Sequence, residues 1–152
     1  FVFLQQQAFG SVPLVLSVYL AAKNPTPAMR LQDYVGFSIV GLAILGEAIA
    51  DWQLRHFQRN PANRGKILDA GLWTWSRHPN YFGEVTFWFS LALFGLSAYP
   101  EGSWWQPIGF ISMLTMFLLV SIPLMEKRSL ERRPQYRDVI SRVSRLIPLP
   151  PK

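Results

Sequence analysis

The chain has 152 residues, of which 50% are hydrophobic, 14% aromatic and 16% charged, with no cysteine. That balance is too apolar for an ordinary soluble domain of this length, and the missing thiols exclude disulfides and cysteine-ligated metals. The net charge of +6 would suit nucleic acid, but thirteen of the fifteen Lys and Arg fall in Asp51–Asn80 and Glu126–Lys152, a bias that marks loops kept on one side of a bilayer, so nucleic acid is not expected as a partner.

A helix needs about 20 mostly apolar residues to cross a hydrocarbon core. Four stretches approach that length, within Phe1–Ala22, Tyr34–Ala50, Phe82–Ala98 and Trp105–Met125. The expected fold class is therefore all-α, a polytopic membrane helix bundle of about four transmembrane helices with amphipathic cytoplasmic helices. Both basic segments, 51–80 and 126–152, are then placed in the cytoplasm or its organellar equivalent. One membrane domain is expected over residues 1–152. Phe1 opens the sequence as if already inside a helix, so this domain reads as the carboxy-terminal part of a longer chain. Gln5, Gln6 and Gln7 in the first stretch are expected to face protein or the interface, since bare amides are costly in lipid.

Pro25 and Pro27 end the first helix in a short turn. The second span carries Gly36, Gly41 and Gly46 at five-residue intervals, a spacing that does not make the usual small-residue seam between helices. It runs without a breaker into Glu47–Phe57, where Glu47, Asp51, Leu54 and Arg55 share one helical face. Two readings stand open for that face, a converging polar site or a plain Asp51–Arg55 ion pair. Arg59–Lys66 is a turn-rich loop with three cations and Gly65. Its Arg59, Arg64 and Lys66 suit phosphate, either of a ligand or of lipid headgroups. Trp73 and Trp75 precede the third span and Trp104 and Trp105 begin the fourth, where aromatic belts are expected.

The densest polar motif is Ser76-Arg77-His78-Pro79-Asn80-Tyr81-Phe82-Gly83-Glu84. Pro79 suits a first helical turn, where its missing N–H is not needed, and Glu84 one turn further reaches the membrane boundary, where an ionisable group is a functional candidate. With only His56 beside His78, no metal centre is expected. Nor does Ser76 sit in a nucleophile motif of the Gly-x-Ser-x-Gly kind. After the fourth span the helix is expected to continue through Met125–Arg133. Tyr136, Ile140, Val143 and Ile147 then recur at helical spacing in a basic helix that ends at Pro148.

Phe57-Gln58-Arg59-Asn60-Pro61, Gly71-Leu72-Trp73, Arg77-His78-Pro79-Asn80-Tyr81-Phe82-Gly83-Glu84, Glu126, Tyr136-Arg137 and Ile147-Pro148 together, in this order and spacing, resemble the steroid 5-alpha-reductase and sterol reductase superfamily, which also holds the isoprenylcysteine carboxyl methyltransferases. The resemblance covers roughly Glu47–Pro151 and looks closest to a bacterial branch of steroid-reductase-like proteins. It implies that 47–152 is a cofactor-binding region for NADPH, after first helices in 1–46. Carried over, Asp51 and Arg55 resemble cofactor contacts, Asn80 and Glu84 the buried pair beside Tyr81, and Glu126 an acidic position able to bind the cofactor's amide or ribose. Arg77 and His78 match the motif, and Trp73 belongs to the same set. The resemblance implies membrane lipid and a lipophilic substrate with a reducible C=C bond as partners. It names no catalytic residue, because the steroid enzymes draw theirs from earlier helices. Two alternatives remain, a methyltransferase using S-adenosylmethionine and a non-catalytic subunit held by other subunits of a membrane complex.

Overall fold

The computed structural model describes residues 11–19, 22, 28–98 and 105–152. The chain is all-helical over these residues: α1 (residues 11–19), α2 (Leu31–Arg59), α3 (Pro79–Ala98), α4 (Ile108–Met116), a π turn (Phe117–Ser121), α5 (Ile122–Arg132) and α6 (Tyr136–Arg142). Extended pairing among the described residues is limited to one isolated bridge between Ser76 and Ser144. Two helical stretches, Leu31–Arg59 and the continuous run Ile108–Arg132, are long and apolar enough to cross a membrane. The third expected span lies within α3, and residues 11–19 of the first are helical. Gln5, Gln6, Gln7, Pro25, Pro27 and Trp104 lie outside the described residues.

The expected extension of the second span is present, since α2 continues unbroken to Arg59. It buries only a narrow stripe, with Asp33, Gly36, Ala43 and Ala50 inside and large apolar side chains such as Leu31 (79% exposed) and Leu42 (69%) outside. Water would penalise such a surface; lipid tails would not. The seam runs through Gly36, Ala43 and Ala50 at seven-residue intervals. A side chain at Gly36 would press on the Phe94 ring, whereas Gly41 and Gly46 face open space.

The chain divides into two compact units, Phe1–Leu42 with Val85–Met116, and Ala43–Glu84 with Phe117–Lys152. The first is held by close apolar packing with a few polar stitches. Phe37 meets Phe94 edge-on at 4.9 Å, the Ser90 hydroxyl donates to the Gly36 carbonyl at 3.2 Å, and the Gly109 amide donates to Ser17 Oγ at 2.9 Å.

In the second unit, the π turn lies directly before Ile122-Pro123. Proline has no N–H to give the preceding turn and its ring crowds the carbonyl four residues back, so a locally widened helix relieves both problems. The carboxy-terminal segment departs from expectation. The helix expected through Ile147 stops at Arg142, and Val143 is extended, with φ −101° and ψ 134°. Val139, Val143 and Leu146 are buried with Tyr136, while Ile147 is 59% exposed. The helical spacing is broken because this stretch leaves the helix to bond with Ser76 and Arg77.

Candidate functional site

All of the site's framework lies in the second unit, and it starts where α2 ends. Asn63 Nδ2 donates to the Phe57 carbonyl at 3.0 Å, giving a partner to a helix-end acceptor that has none within the helix. Asn60 Oδ1 accepts from the Ala62 amide at 3.0 Å and begins a 3-10 turn, Pro61–Asn63. Gly65 then reverses the chain at φ +79°, a conformation that side-chain-bearing residues avoid. Together these bonds turn Arg59, Arg64 and Lys66 outward as an exposed cationic loop. Its far side is tied down by Arg133 Nη1, which donates to the Lys66 carbonyl at 2.7 Å, and by an ion pair between Arg142 and Asp69.

Gly71-Leu72-Trp73 docks on α2. At Gly71 the chain has φ +61°, and any Cβ there would collide with the Gln53 amide. That amide accepts from the Leu72 N–H at 3.0 Å, and Trp73 Nε1 donates to the Ala50 carbonyl at 3.0 Å. Trp73 is therefore fixed by its indole N–H and not by burial alone.

Trp75, Ser76 and Arg77 are clamped to the carboxy-terminal segment. The Ser76 hydroxyl, fully buried, donates to the Leu146 carbonyl at 2.8 Å and accepts from the His78 amide at 3.1 Å, so it is a structural group. Arg77 is 9% exposed. Its Nε donates to Glu126 Oε1 at 2.8 Å and its Nη1 to the carbonyls of Ile140 and Val143, both at 2.8 Å, while its backbone N–H donates to the Ser144 carbonyl at 2.8 Å. Two of these carbonyls close α6, where helical acceptors lack internal partners. No described residue takes up the Nη2 donors. His78 Nε2 lies 3.4 Å from the same Glu126 oxygen, and its ring stacks on Tyr81 with centroids 5.5 Å apart. Burial by itself would raise the Glu126 carboxyl. The His78 hydrogen bond and the Arg77 charge outweigh it and hold the group below its ordinary range.

These elements enclose a cavity of about 550 Å³, within the size range of small-molecule and cofactor sites. Arg59, Arg64, Lys66 and Arg133 supply cations to its wall, and Phe57, Trp73 and Tyr136 supply aromatic surface. Six of the twelve expected cofactor residues line it: Arg59, Arg64, Lys66, Trp73, Arg77 and His78. The others do not. Glu126 stands behind Arg77 and His78 as their shared acceptor. Tyr81 stacks between His78 and Phe117, and its hydroxyl bonds Met125 Sδ at 2.9 Å.

Asp51, Asn80 and Glu84 belong to a second polar cluster on α2 and α3. Asn80 Nδ2 donates to Asp51 Oδ1 at 3.2 Å, and Glu84 and Asp51 both lie close enough to act electrostatically on Glu47 and Tyr81. The expected Asp51–Arg55 ion pair is absent among the described residues; Asp51 turns to Asn80, and Arg55 is exposed. Neither reading of this face holds as it stood, since Arg55, the base in both, is not in the cluster of Glu47, Asp51, Asn80 and Glu84.

Met125, Ser129, Arg133 and Tyr136 also line the cavity, and the sequence reading did not single out their shared wall. Their spacing of four, four and three residues was the available signal. It was hidden because two helices and a turn, not one helix, carry it.

The family model for DUF1295, described as a protein of unknown function, matches residues 1–143. An uncharacterized protein of Schizosaccharomyces pombe is 37% identical over 78 residues, 51% of this chain and 22% of that protein. A probable O-methyltransferase of Ustilaginoidea virens is 36% identical over 58 residues, 38% of this chain and 20% of that protein. The matched regions thus span about a fifth of these relatives' lengths. No solved structure gives a significant match.

Proposed function

This chain belongs to the DUF1295 family, and we propose that it is a membrane-embedded reductase that binds NADPH and reduces a C=C bond of a lipid-like substrate. In this reading it crosses the membrane as a bundle of about four helices, with segments 51–80 and 126–152 on the cytoplasmic side. The observation that carries the proposal is the cavity with a cationic rim and an aromatic wall. Arg59, Arg64, Lys66 and Arg133 offer charge-assisted donors to phosphates. Trp73 and Phe57 offer flat apolar surface to a heterocycle. The ligand this donor set fits is a polyanion with aromatic ends.

When bound, NADPH supplies a hydride to one carbon of the double bond and leaves as NADP⁺, while a proton completes the other carbon. The chain's own residues hold and orient. The rim neutralises phosphate charge and Trp73 is locked by its bond to Ala50, while the Asp51–Asn80 pair stands outside the cavity wall.

A second reading is methyl transfer from S-adenosylmethionine, and the likeness to a probable O-methyltransferase favours it. The cavity's charge weighs against it, because a sulfonium is itself a cation and gains nothing beside Arg59, Arg64 and Lys66. The deciding experiment is a thermal-shift titration of the detergent-solubilised protein with NADPH, NADH and S-adenosylmethionine. NADPH at a hundred times its Kd should stabilise the fold by about 2.7 kcal/mol, more than NADH at equal concentration. A shift with S-adenosylmethionine alone would establish the methyltransferase reading.

A further inference from the structure

The cavity has two electrostatically different parts, and the difference dictates which end of a dinucleotide each can hold. At the rim, Arg59, Arg64 and Lys66 are exposed, and none is in an ion pair among the described residues. Arg133 joins them with its charge equally unopposed, because among the described residues its guanidinium bonds only the neutral carbonyl of Lys66. This part seeks anions.

Around Arg77 the balance is reversed. The guanidinium is buried, Glu126 cancels its charge at 2.8 Å, and two carbonyls occupy Nη1. A second anion beside Glu126 would bring two negative groups to one arginine in a half-dry site, which is unfavourable. The free donors at Nη2 therefore suit a neutral oxygen. Tyr136 shares this part of the wall. It is 9% exposed, lines the cavity and packs in the cluster with Val139 and Val143. No described residue hydrogen-bonds its hydroxyl, although a buried tyrosine usually finds a partner. Burial pushes the phenol's pKa up, as does the Glu126 charge, while Arg77 and Arg133 oppose them. It stays a protonated donor, and it lines the same cavity wall as Arg77 and Arg133.

We propose that the Tyr136 hydroxyl, together with Arg77 Nη2, is a ligand-binding donor pair for a neutral oxygen at the nicotinamide end of the bound dinucleotide, its carboxamide oxygen or an oxygen of the ribose attached to it, while the phosphates stay on the Arg59, Arg64, Lys66 and Arg133 rim. The inference rests on the NADPH reading above and adds the direction in which the ligand lies.

Tyr136→Phe removes the hydroxyl and keeps the ring that packs on Val139. Binding is measured by titration calorimetry on the full chain in detergent with two probes, NADPH and adenosine 2′,5′-bisphosphate, which carries phosphates and adenine but no nicotinamide end. The substitution should weaken NADPH about three- to ten-fold, the effect of one lost neutral hydrogen bond, and leave the bisphosphate and the melting temperature unchanged. Arg64→Ala should weaken both probes and flatten their salt dependence. Unchanged NADPH affinity in Tyr136→Phe overturns this inference and leaves the reductase reading intact. Equal weakening of both probes overturns it too, by placing phosphate at Tyr136. Absence of binding of either probe to the unaltered protein sinks the NADPH reading and this inference with it.

Discussion

In the unit of residues 1–42 and 85–116, helices meet through small residues and rings: Gly36 under Phe94, Phe37 against Phe94, Phe89 against Phe110. In the unit of residues 43–84 and 117–152, irregular segments are stitched by side chains to backbone, with Gln53, Trp73, Ser76 and Arg77 each reaching a peptide group of another segment. The first pattern suits lipid, where exposed apolar surface is harmless and specificity must come from close packing. The second suits a polar site, where loops lack helical hydrogen bonds and each peptide group needs a named partner. Damage should therefore act differently in the two units: in the second it removes stability and ligand affinity together, in the first stability alone.

The sharpest way to break that comparison is Arg77→Ala. It strips Glu126 of its arginine, leaving the carboxylate the longer His78 contact, and frees the carbonyls of Ile140 and Val143 at once; breaking a buried charge pair costs about 3–5 kcal/mol. A large drop in melting temperature with loss of NADPH binding is expected. Retained stability would show that the clamp is not what holds the carboxy-terminal segment.

Acid should act on the same place more gently. Because the Glu126 carboxyl is held below its ordinary value in the folded state, its contribution is fully present above the unfolded carboxylate pKa and disappears as pH falls through the lower folded value. Melting temperature should therefore fall more steeply on acidification in the unaltered protein than in Glu126→Gln. Parallel curves would remove Glu126 from the account.

The smallest effect is expected in the first unit. Ser90→Ala removes the bond to the Gly36 carbonyl, worth about 1 kcal/mol, and NADPH affinity should not change. A matching loss of affinity would mean that the two units are not energetically separate.

Much of the helical frame was legible, and for simple reasons. Proline tolerates a first helical turn, so Pro79 marked the start of α3; the absence of a breaker after Ala50 announced the long α2. Part of the cavity wall was equally visible, because Arg59, Arg64 and Lys66 crowd one short loop and Arg77 and His78 lie in a distinctive motif. What stayed hidden involves partners with no sequence signature. Nothing in the chain says that Arg77 will bond the carbonyls of Ile140 and Val143, since every residue has a carbonyl. That clamp goes with the end of the expected helix at Arg142, after which 143–147 are not helical. The glycines of the second span are a separate case. Their five-residue interval promised no seam, in keeping with Gly41 and Gly46 facing open space, and the buried seam that Gly36 makes with the alanines Ala43 and Ala50 was not visible in it.

Gly83 has a bearing on how such a protein can change its trade. A Cβ at that position would stand 2.8 Å from the Glu47 Cβ and 3.0 Å from the Ala43 carbonyl oxygen, so α2 and α3 approach there almost backbone to backbone. The distance between the helices is set by a missing side chain, not by the acids and amides mounted on them. Asp51, Asn80 and Glu84 are mounted beside that close approach and do not create it. A scaffold of this kind separates foldability from reactivity, and one helix pair can be refitted for a different group transfer while its frame is inherited unchanged.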